Sequence, residues 1–219
     1  MAAPAPLTAV HARIEAYYGD KVARHGATPR GVDWTCAPTQ ELRFIQLLEL
    51  CDFSRPFSLN DVGCGYGALT GFIARFHAQA EIDYLGVDLS RAMISRARRR
   101  HRGMAGRRFV VGSDIPRIAD YGVASGVMNI MLDHPRALWE EFVADTLRRM
   151  RASSRLGFAV NFMAKKPDGA ETPGLYRTDP APWIAFCRQT LGSAAEVVDG
   201  YGMREFTLLV RPAVRRLSS

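Results

Sequence analysis

At 219 residues, 47% apolar and 23% charged, the chain has the size and balance of one globular domain with room for a small appended cap, and a second full domain does not fit. Lys and Arg number 29 against 22 Asp and Glu, so the net charge is +7, carried almost wholly by arginine. Cys36, Cys51, Cys64 and Cys187 form no C-x-x-C pair and no His/Cys ligand spacing, which argues against a structural zinc site or a disulfide framework, and no apolar run approaches the ~18 residues needed to span a bilayer. Met1 to Val10 lacks the basic start and long apolar core of a leader, so a cytoplasmic protein with no membrane partner and no metal is expected.

Leu7 to His25 reads as an amphipathic helix, because Val10, Ile14, Tyr17, Tyr18 and Val22 recur at near-helical spacing. A breaker-rich loop from Gly26 to Pro38 follows and carries Trp34, which either covers a pocket or pins the loop to the core. Pro38 suits the first turn of a second helix, whose apolar residues Leu42, Ile45, Leu47, Leu48 and Leu50 lead to about Cys51 with Arg43 among them. Residues 1–52 are therefore read as a helical cap or lid, and 53–219 as the main domain.

The organising stretch is Phe57 to Ala68. An apolar run to Val62 stops at Gly63, Gly65 and Gly67, and a helix-period segment with Leu69, Phe72, Ile73 and Phe76 follows at once. Strand, glycine turn, helix is the pattern that seats a nucleotide-like ligand, because glycine tolerates positive φ and lets a ligand lie against the backbone. Gly63-x-Gly65-x-x-Ala68 also satisfies the nicotinamide or flavin fingerprint, and the glycines alone do not decide between families.

A second strand, Ile82 to Val87, ends in Asp88, which can accept from both ribose hydroxyls, while Ser90 fills the helix N-cap ahead of Met93 and Ile94. The arginines from Arg96 to Arg108 ride partly on this helix, whose Met93, Ile94 and Ala97 face inward; no aromatic residue interleaves with them, and nucleic acid is not expected as a partner. Phe109 to Val111 gives a short third strand before Gly112-Ser113-Asp114-Ile115, and Tyr121 to Val127 a fourth, in which the small residues Ala124, Ser125 and Gly126 leave space for a ligand. Asp133-His134-Pro135 opens a helix from Arg136 to about Arg151, and His134 is either a general base or an exposed helix-start residue. Leu156 to Phe162 is a fifth strand; a loop from Met163 to Thr178 holds Lys165, Lys166, Tyr176 and Arg177; Asp179-Pro180 starts a last helix. Two apolar runs, Ala195 to Val198 and Arg204 to Val210, predict a closing antiparallel hairpin.

Asp61-Val-Gly-Cys-Gly-Tyr-Gly67 resembles the nucleotide loop of the class I S-adenosylmethionine-dependent methyltransferases, in which an acidic residue suits a cationic cofactor better than a pyrophosphate. The resemblance implies an α/β fold: one doubly wound, Rossmann-like domain whose mostly parallel seven-stranded sheet has an antiparallel last strand, with the helical cap in front. It implies that Arg43, Asp61, Gly63, Cys64, Gly65, Gly67, Asp88, Leu89, Ser113, Asp114, Ile115, Ala124 and Ser125 border S-adenosyl-L-methionine, with Arg43 at its carboxylate and Asp114 at the adenine amine. A looser resemblance to a bacterial group of these enzymes extends over Gly31-Val-Asp-Trp, Gln40-x-x-Arg43-Phe44, Ala124 to Asn129, Tyr176-x-x-Asp179-Pro180 and Glu205-Phe-Thr-Leu. Trp34, Asn129 and Tyr176 are the candidates for the acceptor pocket and His134 for a base, and the expected acceptor is a small-molecule N, O, S or C nucleophile. The rival readings are an NAD(P)-dependent oxidoreductase, for which Asp88 serves equally well, and an RNA-binding or RNA-modifying protein resting on the arginines.

Overall fold

The computed structural model describes residues 5–34 and 36–213. Helix α1 (Ala5–His25) leads through a 3-10 turn (Pro29–Val32) to α2 (Ala37–Leu48), which opens with Pro38 in its first turn. The main domain then runs β1 (Phe57–Val62), α3 (Ala68–Phe76), β2 (Ile82–Asp88), α4 (Arg91–Arg100), β3 (Arg107–Val111) and β4 (Ala119–Ala124). It continues with β5 (Ile130–Leu132), α5 (Arg136–Ala152), β6 (Ser154–Ala164), β7 (Gly174–Leu175), β8 (Arg177–Thr178), α6 (Pro180–Gln189), β9 (Ser193–Val198) and β10 (Glu205–Pro212). Among the described residues no helix is long and apolar enough to cross a membrane.

Seven strands lie in the order β3-β2-β1-β4-β6-β10-β9, parallel from β3 to β6, and the short β8 adds an eighth at the end of β6. The last strand, β10, is inserted antiparallel between β6 and β9, as expected. Strand order reverses between β1 and β4, and in open α/β sheets a ligand crevice forms outside the carboxyl ends at such a point.

Both faces of the sheet are covered. Phe44, Leu47, Leu69, Phe72, Ile73 and Ile94, from α2, α3 and α4, pack on one face, and Trp139, Phe142, Leu147 and Trp183, from α5 and α6, on the other. Strands buried on both sides need near-continuous apolar sequence, and β1 departs from this at Asn60 and Asp61. Asn60 is fully buried yet satisfied: it donates to the carbonyls of Arg117 (3.2 Å) and Ser153 (3.4 Å) and accepts from Arg117 Nε (2.9 Å).

Helix α1 belongs to neither layer alone. Leu7 and Val10 at its start join the cluster of α5 and α6, whereas Val22 near its end packs with Tyr66 and Met93 on the side of α4. The helix therefore crosses the carboxyl edge of the sheet. Within the anticipated 1–52 segment, α1 and the 3-10 turn overlie that edge, while α2 packs directly on the sheet and α3.

Two expectations need correction. Strand β4 ends at Ala124 rather than Val127, because Gly126 turns the chain at φ +79° and its amide is held by Asn161 Oδ1 (2.8 Å). The Met163 to Thr178 segment is not all loop: β7 pairs with β5 as a separate two-stranded sheet and β8 with β6.

Candidate functional site

A cleft opens at the carboxyl ends of β1, β2 and β4, and α1 and the 3-10 turn roof it. Its floor is the glycine turn. The amides of Gly63 and Cys64 both donate to Val87 O (2.8 and 3.1 Å), which ties the turn to β2. Gly63 has φ +70°, and a Cβ there would stand 2.4 Å from Val127 Cγ2, so the position admits no side chain. Gly67 differs: it does not line the cleft, and a Cβ on it would meet the His101 ring at 2.9 Å, so the third glycine makes room for core packing.

Two carboxylates stand beside the turn. Asp88 Oδ2 accepts the Gly65 amide and Oδ1 the Ser90 amide, each at 2.8 Å, while Ser90 Oγ caps α4 by accepting from Met93 N (3.3 Å). Burial raises the Asp88 pKa and the two amides oppose it; each oxygen keeps a lone pair for a further donor. Asp61 is buried beneath the turn at the cleft's lining, where Tyr84 Oη donates to its Oδ2 at 2.5 Å. Burial pushes its carboxyl up to about 7, the Tyr84 hydrogen bond opposes this, and the charge of Asp88 adds to it.

Arg43, set by the sequence among the apolar residues of the second helix, is 2% exposed and borders the cleft. Its Nε donates to Glu205 Oε2 at 2.9 Å, its Nη2 to Glu205 Oε1, and the Trp34 ring lies 3.7 Å from its Cζ. Trp34, whose ring covers that guanidinium, also lines the cleft.

The other sequence candidates divide. Cys64, Leu89, Ser113, Ile115, Ser125 and Asn129 line the cleft; Asn129 Oδ1 accepts Met163 N (3.0 Å) and its carbonyl accepts Tyr176 N (2.8 Å). Ala124 is core, and Asp114 stands outside the lining, where Arg149 Nη1 donates to it at 3.3 Å. Tyr176 is buried away from the cleft, with its hydroxyl on Glu140 Oε1 (3.1 Å). His134 also lies outside, its ring stacked on Trp139 at 6.3 Å, and its Nε2 is buried without a partner among the described residues.

Sequence reasoning missed His11, Glu15 and Tyr18, which with Ile14 descend one face of α1 into the cleft, and also Gln40, Arg149 and Glu205. The signal for the α1 set was its i, i+3, i+4, i+7 spacing beside the apolar stripe. His11 packs edge-on against Phe142 (5.7 Å), and burial, then the nearby Arg149, lower its pKa.

Five carboxylates line the cleft, those of Glu15, Asp33, Asp61, Asp88 and Glu205, against the two guanidiniums of Arg43 and Arg149. Arg43 is paired with Glu205, Arg149 with Asp145 and Asp114, and Asp33 with Lys21 at 2.5 Å. What remains unpaired is acidic. Such a lining attracts a cation and repels a pyrophosphate.

A family profile described as a methyltransferase domain matches residues 60–149. A Mycobacterium tuberculosis protein that carries the name methyltransferase, Rv1506c, is 36% identical over 168 residues, covering 76% of this chain and 99% of that one. The chain belongs to this methyltransferase family. Among solved structures, magnesium protoporphyrin IX methyltransferase from Synechocystis PCC 6803, with bound S-adenosylhomocysteine, superposes with a TM-score of 0.63 at 14% identity over 94% of this chain and 99% of that one. Human N-acetylserotonin methyltransferase in complex with S-adenosylmethionine gives 0.61 at 17% identity over 97% of this chain, which spans 60% of the human protein. These likenesses define the fold as that of class I methyltransferases.

Proposed function

We propose that the chain transfers the methyl group of S-adenosylmethionine to a nucleophilic atom of a small molecule. The observation that carries this reading is the pair of carboxylates at the glycine turn in a cleft whose guanidiniums are already neutralised. A sulfonium nucleoside suits that chemistry; the pyrophosphate of a nicotinamide dinucleotide would face Asp61 and Asp88 with no free cation among the lining residues.

The cofactor brings an activated methyl group, so the chain's task is to bind, orient and exclude water. Asp88 would take the ribose hydroxyls, Asp61 and the glycine backbone the methionine end, and Arg43 its carboxylate. Leu89, Ser113 and Ile115, with His11 opposite on α1, would border the adenine. Asn129, Trp34 and Met163, which line the same cleft, would border the acceptor, and the roof formed by α1 favours an acceptor small enough to be enclosed. His134 is given no role in proton transfer, and Asp114 and Tyr176 none in ligand contact. The acceptors in the names of the two fold neighbours, magnesium protoporphyrin IX and N-acetylserotonin, are small molecules, which is compatible with this reading.

Thermal unfolding with S-adenosylhomocysteine and, separately, with NADH tests the proposal. A ligand at a hundred times its Kd stabilises by about 2.7 kcal/mol, enough to raise the midpoint by several degrees. S-adenosylhomocysteine is expected to do so, and stabilisation by NADH alone would overturn the reading. Incubating cell extract with the methyl-labelled cofactor and the protein then identifies the acceptor by mass spectrometry.

A further inference from the structure

The ion pair between Arg43 and Glu205 joins positions 162 residues apart, α2 to the first residue of β10, and the two residues are 2% and 6% exposed. Removing two charges from water costs several kcal/mol per ion, so stability alone accounts poorly for the pair. Glu205 takes the guanidinium side-on through Nε and Nη2, using two of its five N–H groups. Among the described residues no hydrogen-bond acceptor takes the other three. Nη1 lies at the cleft margin, so close to Gly126 that a Cβ there would stand 2.8 Å from it.

The pair is itself held from two sides. Trp34 covers one face of the guanidinium. Asn161, fully buried on β6, donates to Glu205 Oε2 (3.3 Å) and accepts the Gly126 amide (2.8 Å), so the carboxylate, the guanidinium and the turn after β4 are fixed against one another. A planar fork fixed in this way recognises a carboxylate by geometry. With Glu205 in place the corner carries no net charge, which matches a ligand end that is zwitterionic, its ammonium cancelling its carboxylate.

We infer that Glu205 is a positioning residue: by fixing the Arg43 fork it makes the cleft select nucleosides that carry an amino-acid end. The inference rests on the cofactor reading above. S-adenosylhomocysteine and 5′-methylthioadenosine share nucleoside and thioether and differ in that end, so their dissociation constants, measured on one protein, isolate it.

For Glu205→Gln and Arg43→Lys, S-adenosylhomocysteine binding is expected to weaken about tenfold or more, while 5′-methylthioadenosine changes less than about twofold. The preference is read as a ratio within each protein, so a loss of folded fraction cancels. The inference is overturned if both ligands weaken together or if the ratio stays at the wild-type value. Wild-type protein that binds neither ligand would instead overturn the cofactor reading.

Discussion

Gly65 donates its backbone amide to Asp88 Oδ2 at 2.8 Å, so the middle glycine of the turn and the last residue of β2 are one unit. The carboxylate that would hold a ribose also fixes the loop on which the rest of the ligand would lie. A change at Asp88 therefore acts twice.

Asp88→Asn keeps one acceptor oxygen and loses the charge. Removing one partner of a charged hydrogen bond costs roughly 1.5–3 kcal/mol, so S-adenosylhomocysteine should bind about ten- to a hundredfold more weakly. Titration calorimetry checks this, and unchanged affinity would remove the ribose assignment.

Asp61 predicts a pH dependence. Its folded-state pKa is raised to about 7 chiefly by burial, so between the ordinary carboxylate range and pH 7 the folded chain holds a proton that the unfolded chain has released. Stability should fall as pH rises through that window, by an amount on the order of a few kcal/mol. Affinity for a cationic ligand should rise over the same window as the carboxylate ionises. Urea unfolding and cofactor titrations at pH 5 and 8, on wild type and Asp61→Asn, read both trends, and the variant should show each of them reduced to what Asp88, whose pKa burial also raises, still contributes.

His134→Ala should leave turnover within about twofold of wild type across the pH range, because the ring lies outside the cleft and against Trp139. A lost acidic limb in the pH–rate profile would restore it as a proton acceptor.

Trp139 is fully buried, and its Nε1 donates to Met128 O at 3.0 Å, bracing the turn that carries Asn129. Trp139→Leu leaves a cavity and an unsatisfied carbonyl and should destabilise the chain by roughly 3–5 kcal/mol. Denaturant midpoints measure this; a shift worth under about 1 kcal/mol would contradict the packing described.

Where the determinants are local, they were legible. The run from Phe57 to Val62, the glycines after it and Ser90 ahead of Met93 announce strand, turn and N-cap within a few residues, and the structure has each of them. The Ala195 and Arg204 runs likewise announced the terminal hairpin. What was not legible depends on partners far along the chain. Gly67 looks like its two fellow glycines until His101 is seen behind it, and Asp114 looks free until Arg149 reaches it. Nothing near Arg43 in the sequence announces that Glu205, 162 residues away, pairs with it. His134 was singled out by its chemistry alone, and chemistry does not say which way a helix start faces. Gly126 hid the end of β4 because the apolar Val127 and Met128 beyond it continue the pattern of a strand while packing in a turn.

Because α1 is moored at both ends, by Leu7 and Val10 on one side of the sheet and by Val22 on the other, it opens only when one mooring lets go. Val22 shares its small cluster with only Tyr66 and Met93 as fully buried companions, so that mooring is the weaker and should slip first. Ligand traffic would then follow a drawbridge motion pivoting about Leu7. Amide exchange faster at 18–25 than at 7–14 would be its signature.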